Sequence, residues 1–171
     1  MQHTFNSNEE KSDFLRANEG FIGRIVVLYP NGKKRSEGDY FHCRRHGKYE
    51  EWYCSGNLSE SSNFNHGFYH GVYQNWYENG NFCEISTMEN GQFQGKRTVY
   101  YRTGGKWYEA QYEMGKFHGL YEAWTDWGGK MIQGLYVNNM WMNGYYYNQQ
   151  ISNKALYRPD RTLSLNYAKY T

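Results

Sequence analysis

The sequence is poor in the residues that usually build a globular core. Leu, Ile, Val and Phe together make 27 of 171 residues, under the roughly 20% at which disorder becomes a concern. Long apolar runs are missing too. No window approaches the ~18 consecutive apolar residues of a membrane-spanning helix. The N-terminal stretch MQHTFNSNEEKSDFLRANEG is polar and lacks the apolar centre of a secretory signal. The expectation is a cytoplasmic chain. Proline occurs only at Pro30 and Pro159, and Pro30 falls at a turn, where it does no harm to a strand ladder. The three cysteines, Cys43, Cys54 and Cys83, are odd in number and form no CxxC pair. That argues against a disulfide framework and for reduced thiols. Charge of one sign is also absent. A net charge of +2 gives no reason to expect nucleic acid.

Aromatic residues fill the gap. They are 20% of the chain, with 19 Tyr and 6 Trp. Each aromatic side chain buries about 150–250 Å², and Tyr and Trp bring a polar edge of their own. Low net charge argues against disorder. The composition predicts a folded protein whose apolar contacts are mostly aromatic, arranged in stacked columns.

Glycines mark a repeat. One series runs Gly23, Gly47, Gly71, Gly95 and Gly119 at a spacing of 24, then Gly144 at 25. A second series, Gly32, Gly56, Gly80, Gly104 and Gly128, always follows nine residues after the first. Aromatic columns keep the same frame. Five residues after the leading glycine come Leu28, Trp52, Trp76, Tyr100 and Trp124, and the next position gives Tyr29, Tyr53, Tyr77, Tyr101 and Thr125. Two residues after it come Ile25, Tyr49, Tyr73, Arg97 and Tyr121, and seventeen after it Tyr40, Phe64, Met88, Tyr112 and Tyr136. A repeat of this strength is assigned before any other feature.

Each unit reads as strand, turn, strand, turn. It has no room for two strands plus a helix of ten or more residues. The stretch GVYQNWYENG, Gly71 to Gly80, ends in Asn-Gly, the signal for a two-residue type I′ turn. If that turn has two residues, the pleat places positions +2, +6 and +17 on one face and the +5 column on the other. One hairpin advances a sheet by roughly 9.6 Å, so five make a ribbon of about 48 Å. Identical aromatics one hairpin apart cannot touch, and a side chain of the intervening strand must sit between them. Contacts are then mainly between neighbouring units. The fold class is all-β, a single-layer antiparallel meander of five to six 24-residue hairpins, elongated.

Three segments, HGKYEEWYCSG (His46 to Gly56), HGVYQNWYENG (His70 to Gly80) and HGLYEAWTDWG (His118 to Gly128), resemble MORN repeats. They are most similar to the variant whose units read G-x-W-x-x-Y-Y-x-N-G-x, found in bacterial antitoxin-like proteins and in large DNA viruses. The resemblance covers Gly23 to about Gln150 and implies a meander of hairpins with an aromatic-lined groove, acting as a scaffold. It brings no catalytic residue and no cofactor. Thr125, Arg97 and an extra residue within VNNMWMNG depart from the pattern. A sixth unit starting at Gly144 as GYYYNQQ is read as a terminal cap.

The organisation expected is an N-terminal cap segment over 1–22, the array over 23–150 and a C-terminal cap or arm over 151–171. A short helix is predicted from Ser7 or Asn8, with Glu9 and Glu10 in its first turn, covering the sheet edge. The tail alternates at Leu163, Leu165 and Tyr167, as one more strand would, and carries Lys154, Arg158, Arg161 and Lys169.

No catalytic or metal site is expected. His42 and His46 are four apart, as are His66 and His70. On a helix such pairs could chelate zinc, but pairs in successive units would be about 9.6 Å apart. The reading is that these histidines are turn residues. Glu60 and Glu84 share one phase, with Glu37 and Glu109 one place later. A repeated surface column would leave them solvated and alike, unlike the two dissimilar carboxylates of a glycosidase. No GxSxG, P-loop or Cys-His signature is present. The candidate binding feature is the column Trp52, Trp76, Tyr100 and Trp124, since rows of aromatics can stack on a partner. Lys48, Lys96, Arg97 and Arg102 near it are interrupted by Glu50, Glu51, Glu78 and Glu122, which disfavours nucleic acid. The function expected is a non-enzymatic scaffold for protein partners, such as a component of a virus particle. An antitoxin-like neutraliser of one partner, or a lipid-contacting membrane adaptor, is the alternative.

Overall fold

The computed structural model describes residues 1–147 and the backbone of 154–156. Among the described residues it is an elongated open sheet with one short helix between its first two strands. The elements are β1 (Gln2–Phe5), α1 (Asn8–Ala17), β2 (Gly23–Leu28), β3 (Lys34–Phe41), β4 (Arg44–Trp52), β5 (Leu58–Asn65), β6 (Phe68–Tyr69) and β7 (Gly71–Trp76). They continue as β8 (Phe82–Glu89), β9 (Gln92–Phe93), β10 (Gly95–Tyr100), β11 (Lys106–Glu113), β12 (Lys116–Trp124), β13 (Lys130–Val137), β14 (Met140–Tyr147) and β15 (Lys154–Leu156). Strand order follows chain order throughout, with β6 and β9 as short extensions pairing β5 and β8. Every pair is antiparallel except β1 with β2, which is parallel. Among the described residues no helix is long and apolar enough to cross a membrane.

The 24-residue frame is a register. The leading glycine of each unit faces the residue seventeen further on, as Gly23–Tyr40, Gly47–Phe64, Gly71–Met88, Gly95–Tyr112 and Gly119–Tyr136. The leading glycines also take up a bulge. Tyr40 faces Arg45 while Gly38 faces Tyr49, so four steps along β4 meet two along β3, and Gly47 absorbs the surplus at φ 94°.

The turns differ from the sequence expectation. At Asn31-Gly32 the Gly32 N–H donates to the Tyr29 carbonyl (2.9 Å) and the Tyr29 N–H to that of Lys33 (2.8 Å). Only Gly32 has positive φ, at 79°. This is a three-residue loop, a type I turn closed by a glycine bulge, and Asn79-Gly80 repeats it. The two-residue turns with both residues at positive φ lie at the other end of the hairpins, at His42-Cys43, His66-Gly67, Asn90-Gly91, Met114-Gly115 and Asn138-Asn139. Position +6 closes the three-residue loop, as Tyr29 with Lys33 and Tyr77 with Asn81.

Gly144 does not open a sixth unit. It faces Gly134, the place that Tyr49 or Tyr121 holds in other units, and its φ is not positive. A Cβ on Gly134 or Gly144 would come within 2.1 or 2.3 Å of the Trp141 indole. The two glycines make room for that ring. The tail over 151–171 lies outside the described residues apart from the backbone of 154–156, which pairs β15 with β14.

α1 begins where expected. Ser7 caps it by accepting the Glu10 N–H (3.1 Å), and Glu10 reaches back to the Asn6 N–H (2.8 Å). Phe5, Leu15 and Phe21 pack on the buried hydrophobic cluster of Ile25, Val27 and Tyr40. The helix covers one face of the first hairpin, and β1 covers its edge.

Candidate functional site

The two faces of the sheet differ in chemistry. One may be called the tyrosine face. Along its loop end, position −2 of each unit alternates with position +17 of the unit before. Ring centroids run Phe93–Tyr112 5.2 Å, Tyr112–Phe117 4.6 Å, Phe117–Tyr136 5.1 Å and Tyr136–Trp141 5.0 Å. The intervening strand does supply the ring between two aromatics 24 apart. The −2 column (Phe21, Arg45, Tyr69, Phe93, Phe117) was not singled out from the sequence. One row deeper, the large +2 residues alternate with small ones at +15, namely Gly38, Ser62, Ser86, Ala110 and Gly134. A Cβ on Gly38 would lie 2.5 Å from Tyr49.

The third row of this face is polar in its middle. Ser36, Glu51, Glu60, Asn75 and Glu84 stand opposite one another on five consecutive strands. Here the sequence reading is corrected. Glu60 and Glu84 are neither solvated nor alike. Glu84 is buried and bound by both ends of the Arg97 fork at 2.8 and 2.7 Å, with Ser86 donating at 3.0 Å. The Arg97 guanidinium lies 4.2 Å over Phe93, and Glu84 with Tyr108 holds its pKa above the usual value against burial. Glu60 accepts from Ser62 (2.7 Å) and Tyr69 (3.2 Å), and burial, with Glu51 adding, raises its carboxyl above the usual range. Tyr73 beside it is pushed up to about 12, by burial first and then by Glu60. Glu37 and Glu109 lie on the opposite face. Lys34 hydrogen bonding lowers Glu37, and Lys96 and Lys106 outweigh burial to lower Glu109.

The tryptophan face carries the column singled out from the sequence. Trp52, Trp76, Tyr100 and Trp124 do share this face, each half-buried. They are interleaved with position +11, whose residues face them across each hairpin as Trp52–Leu58, Trp76–Phe82, Tyr100–Lys106 and Trp124–Lys130. Phe82 sits 5.3 Å from Trp76 and 6.1 Å from Tyr100. Lys34 lies 5.4 Å from the Trp52 ring, and Lys106 and Lys130 lie 5.6 and 5.8 Å from Trp124. Those lysines are themselves paired, with Glu37 (2.5 Å), Glu109 (2.9 Å) and Glu122 (2.5 Å). The column is thus packed largely against its own neighbours. A shallow hollow of about 320 Å³ beside Lys33, Lys34 and Trp52 is what it leaves open at the N-terminal end. Towards the C-terminal end this face turns apolar. Leu120 faces Leu135 and Val137 faces Met140, at 41, 44, 37 and 63% exposure.

Along the turn margin a hydrogen-bond ladder joins the units. Tyr29, Tyr53, Tyr77 and Tyr101 donate their hydroxyls to the carbonyls of Trp52, Trp76, Tyr100 and Trp124 at 2.8, 2.7, 2.9 and 2.9 Å. Thr125, next in this column, closes its own turn by accepting the Gly129 N–H at 3.0 Å.

The histidines pair differently from their spacing. His46 and His66 come within 4.9 Å between ring centroids, and His46 Nδ1 accepts the His66 N–H at 3.4 Å. The approach is closer than the hairpin rise, because positions −1 and +19 of one unit meet beside the turn. Among the described residues no group of three His, Cys, Asp or Glu could hold a metal ion.

No known protein-family profile matches the chain, and no curated protein matches it. Among solved structures, a chain of the crystal structure of the GtfA/B complex bound to UDP and GlcNAc aligns over 92% of this chain and 39% of its own length, at 10% identity and a TM-score of 0.27. This chain thus spans less than half of that one, and the likeness carries no argument.

Proposed function

We propose that the protein is a non-enzymatic MORN-type repeat scaffold that binds protein partners, as a component of a larger assembly of the kind a virus particle represents. The observation that carries this reading is the apolar end of the tryptophan face. Leu120, Leu135, Val137 and Met140 are exposed side by side, whereas on the same face of the units at Gly47 and Gly95 Lys48, Lys96 and Lys106 pair with Glu50 and Glu109. A contiguous apolar patch on an otherwise polar surface marks an interaction site. The repeat architecture supports it, because an array presents a long rigid surface without needing a pocket.

The test is to tag the protein, express it in its native source and identify what copurifies near stoichiometry. Several structural proteins in the eluate, lost with a Leu120→Glu/Leu135→Glu variant, are the expected result. A single soluble partner in a one-to-one complex would instead favour an antitoxin-like neutraliser. Capture unaffected by the double variant would refute the apolar patch as the interface.

A further inference from the structure

The row of rings at the loop end of the tyrosine face is broken at one place. From Tyr40 to Trp141, positions +17 and −2 alternate, and every place but one holds a flat group. Arg45 is the single cation in the row, and its guanidinium lies 5.1 Å from the Phe64 ring centre. The exception is Met88, where the other units carry Tyr40, Phe64, Tyr112 and Tyr136. Phe93 and Phe117, one hairpin apart, are bridged by Tyr112 at 5.2 and 4.6 Å. Tyr69 and Phe93 are also one hairpin apart, about 9.6 Å in a sheet, but the residue between them is an unbranched thioether, thinner than a ring. On its outer side Tyr69 keeps its partner Phe64, at 4.3 Å.

At this break the face opens into a cleft of about 190 Å³ lined by Tyr69, Tyr73, Glu84, Met88 and Phe93. An apolar cavity of about 150 Å³ holds benzene, so the space suits one six-membered ring. Its aromatic walls are held from behind. The Tyr69 hydroxyl donates to Glu60 at 3.2 Å, the Tyr73 hydroxyl accepts from Asn75 at 3.1 Å, and Phe93 lies 4.2 Å from the Arg97 guanidinium. Glu84 supplies one polar wall. Its Oε1 accepts from Ser86 and from Arg97 Nε, while among the described residues its Oε2 accepts only from Arg97 Nη2. An ionised carboxylate offers about four acceptor places, so Glu84, with its charge already matched by Arg97, has room for one neutral donor.

We propose that this cleft receives a tyrosine side chain of a protein partner, whose ring completes the row between Tyr69 and Phe93 over Met88 and whose hydroxyl donates to Glu84. The proposal rests on the partner-binding reading above and names a second contact, on the opposite face from the apolar patch. Aromatic pairs favour centroid separations of about 4.5–7 Å, the range the row already keeps on both sides of the break. Methionine adjusts its shape to what enters and makes favourable contacts with ring edges. A phenylalanine would leave the acceptor place on Glu84 unused, and an aliphatic side chain would not continue the stack.

The probe is N-acetyl-tyrosinamide, titrated into the full chain and followed by the main-chain NMR signals of Glu84 and Met88, which both line the cleft. Saturable shifts are expected, with affinity about tenfold weaker for N-acetyl-phenylalaninamide, which lacks the donor, and no saturation with N-acetyl-leucinamide. Met88→Phe gives this unit the ring that Phe64 supplies one unit earlier, and it should abolish probe binding without lowering the melting temperature. Equal binding of the phenylalanine or leucine analogue, full probe binding by folded Met88→Phe, or no saturable shift would each overturn the proposal. Partner capture from the native source, if intact in Met88→Phe yet lost in Leu120→Glu/Leu135→Glu, would overturn the site while leaving the scaffold reading in place.

Discussion

Removing the tyrosine ladder tests whether the units are held together as the structure implies. Tyr53→Phe, Tyr77→Phe and Tyr101→Phe each delete one hydroxyl that bridges a turn to the next unit's main chain. The ring stays, so packing is unchanged and the loss is one hydrogen bond. Such a bond contributes about 1 kcal/mol net. The three sites are about 9.6 Å apart, far enough for the losses to add, which puts the triple variant about 3 kcal/mol below the parent. For a chain of this size that is a fall in Tm of about 6–12 °C. Urea unfolding followed by circular dichroism measures it directly. Position matters as well. Neighbour coupling is the source of cooperativity in a repeat array, so Tyr77→Phe in the centre should broaden the transition, while Tyr29→Phe at the end should only fray the first hairpin. A triple variant within about 0.5 kcal/mol of the parent, where independent surface substitutions usually fall, would refute the ladder as a coupling element.

The repeat was legible because its glycines do something no other residue does well. Gly47 and Gly119 absorb a bulge and Gly32 closes a turn, all at positive φ, so their spacing survived as a countable signal. The face assignment of the +5 column followed from it. Turn type was not legible. Asn-Gly suits both a two-residue type I′ turn and the last two places of a three-residue loop, and only the register of Tyr29 with Lys33 decides. The 25-residue step to Gly144 held the sign that this glycine was out of phase, yet its role depends on Trp141, a ring placed by the fold. The −2 column stayed hidden because Arg45 interrupts it and because it precedes the leading glycine, where a loop was expected. The +15 column of small residues was not singled out either, because its meaning needs the cross-strand ring above it. For Glu60 and Glu84, equal phase suggested equal surroundings. Arg97, an apparent flaw in the +2 column, is what makes them differ.

Four further outcomes follow from the same geometry. Gly38→Ala puts a methyl 2.5 Å from the Tyr49 ring at a residue without positive φ, so crowding alone should lower stability by about 1–3 kcal/mol in urea unfolding, and Tyr49→Leu in the same chain should restore part of it. Met114 is exposed and held at φ 46°; Met114→Asn, matching Asn90 one unit earlier, should raise stability by about 1 kcal/mol, since Asn enters the left-handed region more readily. Arg97→Met leaves Glu84 buried without its partner and should cost about 3–5 kcal/mol, whereas the double change to Arg97→Met and Glu84→Gln should recover much of that loss by thermal melting. Last, the partly buried tyrosines should make the fold sensitive to alkali. Burial first, then nearby Glu60, raises Tyr73 to about 12, and burial first, then Cys83, raises Tyr77 to about 12. In the unfolded chain tyrosine ionises near about 10. The folded state therefore holds these protons where the unfolded state has lost them, so this contribution is fully present below pH ~10 and disappears as pH rises from about 10 to about 12. Urea midpoints should be level from pH 7 to about 9 and then fall, and absorbance at the tyrosinate band should show several tyrosines titrating only as the chain unfolds. A midpoint that stays level through pH 11, with all tyrosines titrating as exposed phenols, would mean that they are open to water and the packed ladder described above does not persist in solution.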